Sequence, residues 1–314
     1  MNNEKKPKVI VIVGPTASGK TALSIELAKR INGEIISCDS MQIYKDMNIG
    51  SAKPTKEEMQ GIKHYLIDEV EPTQRFSVAE YKKRAEEAIA EILKKGKTPI
   101  IVGGTGLYAN SLIYGIEYNE IQLDENYRNE LMEKAKTEDG LRLLFEEAKK
   151  IDSVAMEKIS NNDKKRIIRI LEIYNSTGKT KTEQEIDSRK NDVKYDYRVF
   201  AINIDRPILY ERINKRVDIM IEQGLINEVK GILEKYNEFP TAMQAIGYKE
   251  IVDFLNGNIT KEEAIEKIKQ ETRRYAKRQI TWFKRIENVI WLDGLDKIQN
   301  NIYIILEEVD WEKY

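Results

Sequence analysis

Cysteine and histidine are almost absent: the 314 residues include one of each, Cys38 and His64. That excludes an internal disulfide framework and a zinc site built from Cys and His. No sign of charge predominates either, with 52 Lys and Arg against 53 Asp and Glu. Overall charge therefore points to no polyanionic partner, and any basic docking surface has to be local. No apolar run approaches the roughly 20 residues of a membrane span. The start, MNNEKKPKVIVIVG, has a short apolar part and no small-residue cleavage site for a secretory signal. Pro/Gly-rich linkers, low-complexity tracts and internal repeats are missing as well. The remainder is ordinary for a globular chain, 41% hydrophobic and 33% charged, enough for a substantial core. The expectation is a soluble, cytoplasmic protein with no membrane contact, built as one large domain or two modest ones.

Six apolar runs read as strands: 8–13, 34–40, a weaker one at 64–70, 98–108, 197–205 and a possible sixth at 288–294. Helical periodicity lies between them at 21–31, 77–95 and 208–236. This alternation predicts an α/β fold of the P-loop NTPase-like kind, a parallel sheet with helices on both faces. One interval does not fit. Roughly ninety residues separate the fourth strand from the fifth, far more than a crossover needs, and they are rich in helical pattern, as in RNELMEKAKTEDGLRLLFEEAKKI. A small helical domain inserted at 115–194 is expected, in a core made of 1–114 and 195–314.

The first strand runs into GPTASGKT, Gly14 to Thr21, which fits the phosphate-loop pattern G-x-x-x-x-G-K-[ST]. Gly14 and Gly19 permit sharp turning, and the N–H groups of the loop with a helix start near Lys20 form an anion nest. Lys20 adds a mobile point charge, and the Thr21 hydroxyl suits Mg²⁺. Phosphate binding follows from this, but nucleotide binding does not. The chain has no N-K-x-D guanine-reading motif. Its nearest strand-terminal acid, Asp39, comes directly after the second strand, where small-molecule kinases place a substrate base, so a kinase stays open. Asp39 would lie at a strand carboxyl end, where ligands of open α/β sheets bind. Ionised at neutral pH, it can accept a proton from a nucleophile. A Mg²⁺ ligand and a helix cap are its other readings. Cys38 reads as a buried strand residue and His64 as a structural or surface residue.

VGGTGLY, 102–108, is a second glycine turn at a strand end and brings Thr105 toward the same place. From 267 to 285 the chain carries Lys267, Lys269, Arg273, Arg274, Lys277, Arg278, Lys284 and Arg285 against Glu271 alone, with Tyr275, Trp282 and Phe283 interleaved. Such a face fits a phosphate backbone, with aromatics to stack on bases. Lys164, Lys165, Arg166 and Arg169 form a second basic cluster, within the insertion. Arg212 and Arg216, four apart, share one helix face.

GPTASGKT, ISCDSMQIYKDMNIGSAKPT, FSVAEY, PIIVGGTGLY, DKKRIIRILEIYNSTGK, QAIGYKE and RRYAKRQITWFKR, in this order, cover nearly the whole chain. Together they resemble the tRNA dimethylallyltransferases (isopentenylpyrophosphate:tRNA transferases). The resemblance implies transfer of a dimethylallyl group from dimethylallyl diphosphate to the exocyclic amine of the adenosine 3′-adjacent to the tRNA anticodon. Diphosphate is then the leaving group, Mg²⁺ the cofactor, and a monomer gripping one tRNA the simplest assembly. The target base has to leave its stack. By the same resemblance Gly14 and Thr16, Ala17, Ser18, Gly19, Lys20 and Thr21 line the diphosphate site, with Thr21 toward the metal. Asp39 is the base, and Thr105 and Arg216 hold the diphosphate or orient the amine, Arg212 being the alternative to Arg216. The tRNA contacts implied are Asp39, Ser40, Met41, Gln42, Arg128, Lys165, Arg166, Ile167, Ile168, Arg169, Gln244, Ala245, Ile246, Gly247, Tyr248 and Lys249.

Overall fold

The computed structural model describes residues 6–117, 124–188 and 193–310. It divides into two compact units, Met1–Ile113 with Lys194–Tyr314, and Tyr114–Val193.

In the larger unit six strands form one all-parallel sheet: β1 (Lys8–Val13), β2 (Gly33–Cys38), β3 (His64–Tyr65), β4 (Thr98–Gly103), β5 (Asp196–Asn203) and β6 (Ile290–Asp293). Their order across the sheet is β3-β2-β4-β1-β5-β6. The sequence KVIVIV of β1 is apolar on both faces because both faces are covered. Val9, Val11 and Val13 belong to one hydrophobic cluster, and Ile10 and Ile12 to the other. The helices α1 (Lys20–Arg30), α2 (Lys56–Met59), α3 (Val78–Lys94) and α4 (Gly106–Ile113) follow the first strands. Tyr81, Ala85 and Ile89 of α3 pack into the first cluster, while Leu23, Leu27 and Ala28 of α1 pack into the second. This is the α/β class the sequence predicts, with helices on both faces of a parallel sheet.

The smaller unit holds α5 (Glu125–Lys134), α6 (Glu138–Ile151), α7 (Ser153–Met156), α8 (Lys164–Thr177) and α9 (Lys181–Ser188). Leu131, Leu144, Ala148, Ile167 and Leu171 are among the side chains of its own apolar core. Asp152 ties its last helices together, accepting the Ala155 N–H (3.0 Å), the Thr182 N–H (2.9 Å) and the Thr182 hydroxyl (2.6 Å). The larger unit then resumes with α10 (Arg206–Glu222), α11 (Leu225–Lys235), α12 (Tyr248–Leu255), α13 (Lys261–Phe283) and α14 (Ile298–Glu308).

Three elements differ from expectation, the first being the run 98–108, whose strand stops at Gly103 and whose last three residues open α4. The predicted strand 64–70 keeps only His64 and Tyr65, because Leu66 and Asp68 adopt left-handed backbone (φ 60° and 58°) and break the extended path. The predicted helix 208–236 is two helices, parted at Gly224, whose φ of 98° no helix interior accepts.

The register of the sheet builds the site. Val13 of β1, Gly103 of β4 and Cys38 of β2 pair across one row. The residues that follow them, Gly14, Gly104 and Asp39, therefore leave the sheet at one level of its carboxyl edge. The row is tight: a Cβ on Gly103 would fall 2.1 Å from the Cys38 carbonyl oxygen.

Candidate active site

The phosphate loop changes backbone hand at Ala17 (φ 62°) and again at Gly19 (φ 88°) before α1 begins. Such alternation turns successive N–H groups toward one concavity. Lys20 donates from Nζ to the Pro15 carbonyl (2.7 Å), which holds its ammonium over the loop. Burial, then the neighbouring Arg216, bring Lys20 down to about 7, against the pull of Asp39 and Cys38. Beside the loop, Asp39 accepts N–H bonds from Met41 (2.8 Å) and Gln42 (3.3 Å) on Oδ1. Burial raises its carboxyl above the ordinary range, and those two bonds, Lys20 and Arg216 offset only part of the rise.

A cavity of about 460 Å³ gathers these groups in the larger unit, a size usual for ligand sites. Thr16, Lys20, Thr21, Asp39, Ser40, Met41, Gln42, Arg216 and the whole run 244–249 line it. Lys20 and Arg216 set two basic groups beside the Asp39 carboxyl on this lining, and a bound anion would favour the charged form of Lys20. Arg216 lines the cavity, whereas Arg212 is exposed and does not.

Thr105 stands behind the wall. Its N–H donates to the Cys38 carbonyl (3.0 Å), and its hydroxyl accepts the Ser40 N–H (3.1 Å). The Ser18 hydroxyl is buried inside the loop without a protein partner. Cys38 is fully buried, and desolvation pushes its thiol up to about 12, which agrees with an inert strand residue.

Several expectations need correction. Ile167 and Ile168 are 0% and 4% exposed in the core of the smaller unit, on the α8 face turned away from Lys165 and Arg166, so their side chains are packed and not offered to RNA. In the same unit Arg128 and Arg169 share the buried Glu172 (2.6 and 3.4 Å), and Arg166 pairs with Asp163 (3.2 Å). Tyr248 is a cavity wall with 0% exposure. His64, expected to be structural or on the surface, lines the cavity, with Nδ1 2.9 Å from the Ile62 carbonyl oxygen. The basic face of α13 is also less bare than its own sequence suggests. Lys269 pairs with Asp218 of α10 (2.7 Å) and Arg274 with Glu271 (2.6 Å).

Gln279 was not among the sequence candidates. Its Oε1 accepts the Thr16 N–H (3.0 Å), and its Nε2 donates to the Gly104 carbonyl (2.9 Å), so one buried amide joins the phosphate loop to the β4 turn. A Cβ on Gly104 would lie 2.2 Å from that Nε2, so a side chain there would displace the Gln279 amide. Thr272 and Tyr275 also line the cavity. The signal was an uncharged stripe at 268, 272, 275 and 279, one face of an otherwise charged helix.

Sheet order, loop and cavity define a phosphate-loop α/β protein with a carboxylate opposite its anion nest. The family described as IPP transferase matches residues 42–286, and the chain belongs to that family. It is 53% identical over 300 residues to the tRNA dimethylallyltransferase of Acetivibrio thermocellus, covering 94% of this chain and 96% of the relative. It is 54% identical over 287 residues to the tRNA dimethylallyltransferase of Thermoanaerobacter sp. X514, covering 90% and 91%. Among solved structures, the full-length tRNA isopentenylpyrophosphate transferase of Bacillus halodurans superposes with a TM-score of 0.72 at 43% identity, covering 98% of this chain and 100% of that one. A eukaryotic dimethylallyltransferase described as acting on tRNA gives 0.75 at 33% identity, covering 92% and 74%.

Proposed function

We propose that this protein transfers a dimethylallyl group from dimethylallyl diphosphate to the exocyclic amine of the adenosine 3′-adjacent to the tRNA anticodon, releasing diphosphate. The similarity to relatives named for that activity supports the reaction. The observation that carries the chemistry is the placement of Asp39 and the phosphate loop on one cavity. A kinase reading is not favoured, because these relatives are tRNA prenyltransferases.

The bond that forms joins the adenine amine to the first carbon of the dimethylallyl group, and the bond that breaks joins this carbon to the diphosphate. Negative charge grows on the leaving diphosphate, where the loop N–H groups, Lys20 and Arg216 stabilise it. An adenine amine is a weak nucleophile, since its lone pair is delocalised into the ring. Asp39 takes its proton as the new bond forms, and a carboxylate with a raised pKa is the stronger base for that step. Thr105 acts one step back, holding the Ser40 backbone and thereby the Asp39 loop.

Mg²⁺ fits this donor set. The Thr21 hydroxyl lines the cavity, and among the described residues no group of three or more Asp, Glu, His or Cys could cage a metal. The Thr21 hydroxyl would hold Mg²⁺ there, and the ion would supply positive charge against the diphosphate. The tRNA is assigned to the cavity rim at 39–42 and 244–249. It is assigned also to Lys165, Arg166, Arg169 and Arg128 of the insertion, which serves as a tRNA-contacting domain. No described helix is long and apolar enough to cross a membrane. The same reading takes the protein as a cytoplasmic monomer gripping one tRNA. Incubation of labelled dimethylallyl diphosphate with unmodified tRNA tests the proposal: label should enter the anticodon loop, and its absence there would sink the assignment.

A further inference from the structure

Glu228 of α11 takes no part in the chemistry above, yet its carboxylate holds two stretches of chain that line the cavity. Oε2 accepts the N–H groups of Asn48 (3.0 Å) and Ile49 (2.8 Å), and Oε1 accepts the Gly50 N–H (3.1 Å) and the Tyr248 hydroxyl (2.7 Å). Three consecutive backbone donors converging on one acceptor make an anion nest, here filled by a side chain of the protein itself. Gly50 and Tyr248 both line the cavity. The tyrosine ring lies so close over the glycine that a Cβ there would fall 2.4 Å from Cε2.

The loop pinned by Glu228 is connected to the proposed base. Its next residues, Ser51 and Ala52, offer their carbonyls to the Gln42 side-chain amide (3.5 and 3.3 Å). The backbone N–H of Gln42 in turn donates to Asp39 (3.3 Å). These hydrogen bonds and the short stretches of chain between them therefore connect α11 to the carboxylate. Charge-assisted bonds of this kind are stronger than neutral ones, and loss of their common acceptor leaves four donors to find new partners.

We propose that Glu228 is a positioning residue for the acceptor side of the cavity, fixing the 48–52 loop and Tyr248 so that the adenosine meets Asp39 in one pose. This rests on the tRNA-modifying function proposed above. The consequence is one-sided: RNA use depends on Glu228, while donor binding at the phosphate loop does not.

The test is steady-state transfer to an anticodon stem-loop RNA, with each substrate varied while the other is saturating, for the parent, Glu228→Met, Glu228→Gln and Tyr248→Phe. Parent protein that transfers nothing refutes the proposed function, independently of this inference. With an active parent, Glu228→Met should raise KM for RNA about tenfold with KM for the donor unchanged. Glu228→Gln keeps one acceptor oxygen for one pair of donors and turns an NH2 toward the other pair, so it should recover only part of that loss. Tyr248→Phe keeps the ring over Gly50 and removes only the hydroxyl. It should raise KM for RNA severalfold, and it reads the same claim should Glu228→Met fail to fold. A fall in kcat alone with both KM values unchanged, equal rises in both KM values, or an unaltered KM for RNA in Tyr248→Phe would each overturn the proposal.

Discussion

Asp39 lies beside two cations, yet its carboxyl is held above the ordinary range because desolvation outweighs them. A carboxyl raised in the folded state is a net cost once ionised. Its own contribution to stability is highest below the unfolded value of 3.8, falls as pH rises through the window up to the folded pKa, and stays lower at neutral pH. Asp39→Asn should therefore melt at a higher temperature than the parent near pH 7. Turnover should fall by about 10²- to 10⁴-fold, with both KM values within about threefold of the parent. A lower melting temperature would mean that Asp39 is structural. For the same reason the acid limb of kcat/KM should lie above the pKa of an ordinary carboxylate. Gln279→Met keeps the volume and loses both bonds of the clamp, so KM for dimethylallyl diphosphate should rise about tenfold while tRNA affinity holds. An unchanged donor KM would remove Gln279 from the site. The sequence displays Gly14–Thr21 and Asp39 because loop chemistry and a strand end are local. It hides Gln279 because that role exists only once α13 lies across the carboxyl edge of β1 and β4.

At the scale of elements, most strands and helices were legible because both faces of the sheet are buried and apolar runs mark them. Two of the exceptions turn on single backbone conformations. Nothing in HYLIDEV announces left-handed Leu66 and Asp68, and the apolar period of 208–236 continues across Gly224 although the chain does not. No other atom but Asn227 Nδ2, at 3.9 Å, approaches the Cβ position of Gly224. Gly224→Ala thus isolates the backbone cost, about 1–2 kcal/mol read by chemical denaturation; a neutral result would mean that the α10–α11 junction relaxes freely. The charge of α13 was overread for a related reason. Asp218, which pairs with Lys269, sits on another helix and is invisible to a count along α13 alone.

For the whole molecule, near-zero net charge confines tRNA attraction to local patches such as Lys277, Arg278, Lys284 and Arg285 at the end of α13, all exposed. If about four phosphates are contacted, raising salt from ~50 to ~200 mM should weaken tRNA binding by about a hundredfold. Donor binding should weaken far less, and a flat tRNA response would remove these patches as the docking surface. The smaller compact unit falls in the long interval between the fourth and fifth strands, whereas nothing in the sequence showed the burial of Ile167 and Ile168, since a basic cluster flanking them suggests an exposed helix. The central claim is that the phosphate loop grips a departing diphosphate while Asp39 takes a proton from adenosine. It is tested most directly by counting diphosphate released against label incorporated, with and without tRNA, in the parent and in Asp39→Asn. The account predicts one diphosphate for each prenylated adenosine, and almost none of either when tRNA or the Asp39 carboxylate is missing. Full-rate transfer in Asp39→Asn, or diphosphate released steadily without tRNA, would contradict it.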